Sequence, residues 1–167
     1  MRLQHFMPVS NAYCNNMIIS QFVSEGDNGT IAFTAYYLGG RKQYNSGDLI
    51  IFNSSLTNIG GYFQNSTSTF ICGRTGVYVF TWTIHAKKQF ASELMIDNES
   101  RHIQTYSFNL YGSTVRADQW DTSSVTVVVE CYLNQRVWLK SLLNNSYITS
   151  VTGINNLFSG FLLQSFS

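Results

Sequence analysis

The sequence predicts an all-β protein, a two-sheet antiparallel sandwich or jelly roll of about ten strands. Three observations predict this fold class. Aromatic residues make up 15% of the 167 residues and charged residues only 11%, which favours strands with polar, uncharged surfaces. Apolar and polar residues alternate with period two between short turn clusters. The chain has one proline, and no segment has the apolar periodicity of a convincing amphipathic helix.

The first half of the chain contains the clearest alternation. Residues 30–38 predict the first strand, with one side formed by Ile31, Phe33, Ala35 and Tyr37, and Gly39–Gly40 ends it. The next strands predicted are 49–52, 58–63, where paired glycines allow a bulge, a short run from Phe70, and 77–84. The last of these alternates strictly and is the best half-buried strand of the sequence.

The second half predicts two hairpins and a closing strand. In the first hairpin, residues 93–96 and 101–106 flank a connection at 97–100. In the second, residues 123–132 and 136–142 flank a connection at 133–135. Residues 158–164 are apolar although they lie close to a terminus, so we expect this strand in a sheet interior or a subunit interface.

Length and charge limit the organisation and the partners. The chain is long enough for one domain that buries roughly 70% of its unfolded surface. We assign residues 1–29 to a partly irregular N-terminal extension and residues 30–167 to this domain. The net charge is +1 and no basic run extends beyond Lys87–Lys88, which argues against nucleic acid as a partner. The sequence contains no recognisable secretory signal peptide and no segment long enough to span a membrane.

Three cysteines, Cys14, Cys72 and Cys131, have no C-x-x-C spacing and predict neither a zinc site nor a closed disulfide framework. Cys131 is in phase with alternate valines of its strand, and we interpret it as a small buried apolar residue. Cys14 lies in a polar segment where a bridge between chains is an alternative. The state of Cys72 stays open.

Several segments together resemble the complement C1q-like globular domain. They are Phe33, Phe52–Asn53, Asn58-Ile59-Gly60-Gly61-Tyr62, Phe70, Gly76-Val77-Tyr78-Val79-Phe80, Val137-Trp138-Leu139 and Phe158-Ser159-Gly160-Phe161-Leu162-Leu163. The resemblance covers roughly residues 30–164. It implies a ten-stranded C1q/TNF-like jelly roll that assembles as a homotrimer, is secreted and is not an enzyme. Positions assigned to the structural or trimer core are Phe33, Phe52, Tyr62, Tyr78, Phe80, Phe158, Gly160, Phe161 and Leu162.

The chain departs from the family pattern in ways that limit cofactors and assembly. Many relatives carry a collagen stalk, but here no Gly-X-Y period occurs, so any trimer must form through the globular domain. Some relatives bind calcium through an acidic pair in the segment corresponding to residues 106–111, which has no carboxylate here. Asp118 alone would coordinate calcium weakly. We therefore expect no cofactor, with calcium as the minor alternative.

No motif for catalysis is found. His5, His85 and His102 lie in unlike contexts, and the sequence has no nucleophile elbow, zinc-protease motif or phosphate loop. Glu93, Asp97 and Glu99 cluster around the first hairpin tip, and we interpret them as a solvated turn. The sequence therefore favours a protein that is not an enzyme.

Binding is the better hypothesis, and residues 116–122 suggest a site. Trp120 lies among polar groups that suit a sugar, whose C–H face stacks on indole while its hydroxyls bond sideways; alternatively, Trp120 plugs the sandwich end or the trimer seam. Lys87 and Lys88 beside His85 would attract anionic surfaces, or form a solvated loop. The candidate ligand-binding residues are Arg116, Asp118, Gln119, Trp120, Asp121, His85, Lys87 and Lys88.

These observations predict a trimeric pattern-recognition or lectin-like protein of innate immunity that binds glycans or microbial surface molecules through its loops. Two alternatives remain. One is a signalling ligand of the tumour-necrosis-factor type, and the other is a structural or abundant body-fluid protein without a specific ligand.

Overall fold

Two antiparallel β-sheets face each other across an apolar core, so the all-β sandwich predicted from the alternation is confirmed. The computed structural model describes residues 29–87, 89–107, 110–111, 114–115, 120–150 and 156–166. In these residues no helix is long and apolar enough to cross a membrane. The strands in the described residues are β1 Ala32–Tyr36, β2 Lys42–Tyr44, β3 Ser54–Ile59, β4 Phe63–Gln64, β5 Thr69–Ile71, β6 Gly76–Lys87, β7 Phe90–Ile96, β8 Glu99–Ser107, β9 Leu110–Tyr111, β10 Thr114–Val115, β11 Trp120–Cys131, β12 Arg136–Ser141, β13 Ser146–Ile148 and β14 Leu157–Ser165.

The strands divide between a larger and a smaller sheet. The larger sheet has the order β2-β13-β6-β14-β1-β3, and β11 pairs with the other edge of β6. The smaller sheet has the order β4-β5-β12-β7-β8, and β9 pairs with β10 alone. Every described pairing is antiparallel, so each sheet presents one face to the core and one outward.

Strict alternation in β1 and β6 supplies much of the core. Tyr78, Phe80 and Trp82 are fully buried, whereas the residues between them are partly exposed. From β1, the Phe33 ring stacks on Phe63 and Phe70 of the smaller sheet, with ring centroids 4.8 and 4.7 Å apart. Burying each of these rings contributes about 1.5–3 kcal/mol, so the two sheets are held together mainly by aromatic packing.

The last strand, β14, occupies the interior of the larger sheet between β6 and β1, which confirms that the apolar run 158–164 belongs in a sheet interior. Phe158 is fully buried, and Gly160 faces the core two residues later. A Cβ atom added at Gly160 would lie 2.5 Å from Cδ1 of Phe80 and 2.7 Å from Cε1 of Phe33. No side chain therefore fits at Gly160 without displacing a core ring.

The two predicted hairpins have different outcomes. The first is confirmed: β7 and β8 pair through a two-residue turn, in which Asp97 and Asn98 have φ values of 49° and 67°. Both residue types tolerate this left-handed conformation. The second hairpin prediction is wrong, because β11 pairs with β6 in the larger sheet while β12 pairs with β5 and β7 in the smaller one. The short connection at 132–135 crosses from one layer to the other.

Residues 49–52 do not form the predicted strand, although Ile50 and Phe52 are fully buried. Leu49 makes one isolated bridge to Lys140. The N–H of Ile50 donates to the carbonyl of Leu139, and that of Phe52 donates to the Ser68 hydroxyl. Ile50 and Phe52 thus pack in the core, but the backbone bonds of this run go to different partners rather than to one ladder.

A disulfide between Cys72 and Cys131 joins the two layers. Cys72 follows β5 of the smaller sheet and Cys131 ends β11 of the larger sheet, and both are fully buried. The interpretation of Cys131 as a free buried thiol is therefore wrong, although its side chain does face inward. The two cysteines are 59 residues apart, and their pairing depends on how the layers meet. Cys14 lies outside the described residues.

Candidate binding site

Four of the eight predicted binding residues lie in the described part of the chain. His85 and Lys87 are at the end of β6, and Trp120 and Asp121 begin β11. Antiparallel pairing places Trp120 opposite Lys87, and Thr122 opposite His85. Directly opposed residues share a face of the sheet. The remaining predicted residues, Arg116, Asp118, Gln119 and Lys88, lie outside the described residues.

Trp120 and His85 form a stacked pair on the outer face of the larger sheet. Their ring centroids are 5.3 Å apart and their planes differ by 12°. The imidazole is held in this orientation because its Nδ1 lies 2.8 Å from the Thr122 hydroxyl. His85 covers one indole face, while 39% of Trp120 remains exposed. The pair is a preformed aromatic platform on a rigid sheet rather than on a loop.

Asp121 does not contribute to this platform. Asp121 is opposite Ala86, which is fully buried, so Asp121 lies on the side of β11 opposite to Trp120. Its carboxylate Oδ1 accepts the backbone N–H of Thr122 at 2.8 Å. The carboxylate thus supports the start of the strand instead of facing a ligand beside Trp120.

Two residues that the sequence analysis did not identify extend the platform. Tyr147 of β13 is paired with Lys87, which aligns Trp120, Lys87 and Tyr147 across three strands. The guanidinium carbon of Arg41 lies 3.9 Å from the centre of the Tyr147 ring, a cation–π contact. We call this set the aromatic–basic rim: Arg41, His85, Lys87, Trp120 and Tyr147.

Toward the opposite end of the same outer face, the side chains become apolar. Ile59, Val128 and Phe161 are 49%, 59% and 44% exposed. Val79 lies between Val128 and Phe161 in the strand pairing, and Ala32 is paired with both Phe161 and Ile59. Of these residues, Ala32, Val79 and Phe161 line a depression of about 250 Å³. We call this set the apolar strip: Ala32, Ile59, Val79, Val128 and Phe161.

The positions predicted for the structural or trimer core separate by burial. Those inside the sandwich core are Phe33, Phe52, Tyr78, Phe80 and Phe158. Tyr62 and Leu162 are partly buried and pack against this core. Gly160 faces the core. Phe161, the next residue of β14, lies on the outer face of the sheet.

The interpretation of the acidic hairpin tip as a solvated turn is wrong for Glu93. Only 3% of Glu93 is exposed, and its carboxylate accepts bonds from Ser100, from Gln104 at 2.8 Å and from the Lys140 ammonium at 2.9 Å. Burial alone would raise the pKa of Glu93, but these three donors together lower it to about 2. Asp97 and Glu99 are exposed, as predicted. Glu93 is therefore an ionised structural group.

In the described residues, no group of three or more His, Cys, Asp and Glu side chains could hold a metal ion. Asp118 and residues 108–109 of the segment considered for calcium lie outside the described residues.

Comparisons with known proteins agree on one family. The family model described as C1q domain matches residues 32–163. Complement C1q tumor necrosis factor-related protein 3 of Homo sapiens is 31% identical over 135 residues, which cover 80% of this chain and 51% of that protein. Complement C1q tumor necrosis factor-related protein 7 of Mus musculus is 29% identical over 116 residues, 68% of this chain and 38% of that protein. The matched part thus spans about half or less of these relatives.

Solved structures share the jelly-roll fold. The globular domain of zebrafish complement 1qA has a TM-score of 0.66 at 19% identity, covering 81% of this chain and 99% of that one. Eiger TNF from S. frugiperda has a TM-score of 0.68 at 11% identity, covering 83% and 95%. At these identities the likeness establishes the fold alone.

Proposed function

The chain belongs to the C1q domain family, and from this membership we propose that it is a secreted, non-enzymatic recognition protein that assembles as a homotrimer and binds glycans or microbial surface molecules. The domain comprises residues 30–167, preceded by the extension 1–29. Such a protein would act in innate immunity by recognising repeated surface structures.

The aromatic–basic rim is the observation that carries this proposal. A sugar ring can stack its C–H face on an indole or phenol ring, and the rim places Trp120 and Tyr147 on one sheet face. Lys87 and Arg41 add positive charge beside these rings, which favours ligands with anionic groups. The rim is shallow, so we expect weak single sites whose avidity comes from several copies.

The apolar strip supports assembly with further copies of this chain. Side chains such as Val128 and Phe161 are exposed on a flat sheet face, where apolar patches usually mark an interface. The strip occupies one end of the face and the rim the other, so a contact through the strip leaves the rim available for a ligand. Three copies arranged around a threefold axis would present three aromatic–basic rims.

Array binding tests the recognition proposal. The oxidised protein, residues 1–167, is applied to a glycan array beside Trp120→Ala and the control Tyr132→Ala, which removes another exposed aromatic side chain just after β11. We expect Trp120→Ala to bind about 5- to 150-fold more weakly, since aromatic stacking contributes on the order of 1–3 kcal/mol. Equal array signal from all three proteins would show that the aromatic–basic rim does not bind the glycan. Absence of signal from all three proteins would overturn glycan recognition.

Sedimentation tests the trimer separately. We expect the wild-type protein to sediment as a trimer at micromolar concentration and Phe161→Glu to sediment as a monomer with unchanged circular dichroism. A wild-type monomer would contradict the assembly proposal without affecting the array result.

A second candidate is a signalling ligand of the tumour-necrosis-factor type that binds a receptor between subunits; Eiger TNF shares its fold with this chain. A trimer without any glycan signal would support this candidate. A structural protein without a specific ligand is the remaining alternative, and it is distinguished by the absence of both glycan and receptor binding.

A further inference from the structure

The outer face of the smaller sheet contains a pocket of about 340 Å³, on the side of the sandwich opposite the aromatic–basic rim. The residues that line it are Leu49, Thr67, Thr69, Asn98, Arg136 and Trp138. They come from four separate segments of the chain. The pocket is open, and its lining combines an indole ring with polar groups.

Alternation in β12 places Trp138 and Arg136 in this pocket. Val137 and Leu139 are fully buried core residues, so Arg136 and Trp138 lie on the outward side of the strand. Trp138 is paired with Met95 of β7, and Arg136 is paired with Ile71 of β5. The backbone N–H of Arg136 donates to the Asp97 carboxylate at 2.9 Å, which fixes the arginine beside the hairpin tip. A single strand, β12, held between β5 and β7, therefore carries both Trp138 and Arg136.

Three hydrogen-bonding side chains of the pocket have no partner in the described part of the chain: the Trp138 indole N–H, the Arg136 guanidinium and the Asn98 carboxamide. The hydroxyl of Thr69 donates to the carbonyl of Thr67, which leaves its oxygen able to accept a bond. The pocket thus offers free donors from Trp138, Arg136 and Asn98.

Nearby charges leave Arg136 as the group that would attract a ligand. Lys140, the next outward residue of β12, is paired with Glu93 at 2.9 Å, and Arg101 is paired with Glu99 at 3.8 Å. The Asp97 carboxylate lies at the adjoining hairpin tip, where its Oδ1 accepts the backbone N–H of Arg136. No carboxylate is among the lining residues.

We propose that this pocket binds an acidic sugar residue, with the ring stacked on Trp138 and the carboxylate paired with Arg136. A planar guanidinium matches a carboxylate through two parallel hydrogen bonds, and the aromatic ring suits the C–H face of a sugar. Asn98 and the indole N–H would bond the sugar hydroxyls. This site goes beyond the proposed function, because it needs neither the aromatic–basic rim nor the trimer.

The test follows the indole N–H signals in ¹H–¹⁵N spectra during titration with D-glucuronate. The protein is produced in bacteria with its disulfide formed, so that Asn98, which begins the sequence Asn98-Glu99-Ser100, carries no glycan. The Trp138 signal is assigned from its loss in Trp138→Leu. We expect the Trp138 signal to shift and saturate with D-glucuronate. D-glucose should bind at least about tenfold more weakly, since a charge-assisted pair contributes about 1.5–3 kcal/mol.

Arg136→Gln should reduce glucuronate affinity to that for glucose, whereas the matched control Arg101→Gln and the rim variant Trp120→Ala should leave it unchanged. Titration with a uronic-acid trisaccharide and with 3′-sialyllactose then shows whether the pocket prefers a uronic acid or a sialic acid. Binding of either glycan supports the site. A Trp138 signal that does not move, that moves equally with sodium acetate, or that is insensitive to Arg136→Gln would overturn the proposal. If Trp120→Ala lost array binding while its Trp138 signal still shifted with D-glucuronate, the rim and the pocket would be shown to bind independently.

Discussion

Glu93 and Lys140 form a 2.9 Å ion pair between β7 and β12, and Glu93 is almost completely buried although it lies on the outer face of its sheet. Gln104 and Ser100 of β8 complete the bonds to the carboxylate. The group is therefore charged in the folded protein because the two neighbouring strands, β8 and β12, supply three donors.

The free energy of unfolding should depend on Glu93 in acid. Its pKa is lowered from 4.5 to about 2, so its contribution is present above pH 4.5 and is lost as the pH falls toward 2. The full shift corresponds to about 3 kcal/mol. Urea unfolding from pH 7 to pH 2.5 should show this loss in the wild type and in the exposed control Glu99→Gln, but not in Glu93→Gln. If the free energy of unfolding fell equally with pH in all three proteins, this prediction would be refuted.

Reduction of the Cys72–Cys131 bond should destabilise the fold. The bond closes a loop of 59 residues, for which chain entropy predicts about 4 kcal/mol. Denaturant unfolding with and without dithiothreitol measures this loss. The double variant Cys72→Ala with Cys131→Ala should be insensitive to dithiothreitol, and a wild type equally insensitive would contradict the prediction.

Gly160→Ala should destabilise the protein by about 1–3 kcal/mol, because its Cβ atom would overlap the Phe80 and Phe33 rings. Gly40→Ala is the matched control, since an added Cβ there has nothing within 4 Å. Thermal unfolding of the two variants compares them directly. Similar melting temperatures would show that the core accommodates the methyl group.

Ending the chain before Phe158 should abolish folding and assembly together. Without β14, β6 and β1 lose their common partner in the middle of the larger sheet. Circular dichroism and sedimentation of the truncated protein check this expectation. A soluble, trimeric product would show that β14 is dispensable.

The sequence predicts the fold well where one face of a strand is buried. In β1 and β6, period-two alternation identifies the core residues, such as Phe33 and Phe80, because the period alone decides which side chains face inward. It fails for β11 and β12, since a short connection is equally compatible with a hairpin and with a crossing between layers.

The candidate site depends on contacts between distant segments. Trp120 and Lys87 are identifiable from local composition, but the contact between Arg41 and Tyr147 requires the register of β13 against its neighbours. The burial of Glu93 similarly depends on Gln104 and Lys140 from the adjacent strands. The local pattern determines which face of a strand a side chain occupies, but not which distant strands become its neighbours.

The position of β14 also determines when the larger sheet can form during synthesis. Leu157 follows the end of β6 by 70 residues, and at about 5–20 residues per second these take about 4–14 seconds to be translated. Throughout that interval, the β6 and β1 edges that β14 will join have no partner and can pair with other nascent chains. A chaperone that shields these edges on the ribosome would therefore act on this domain before its central strand has been made.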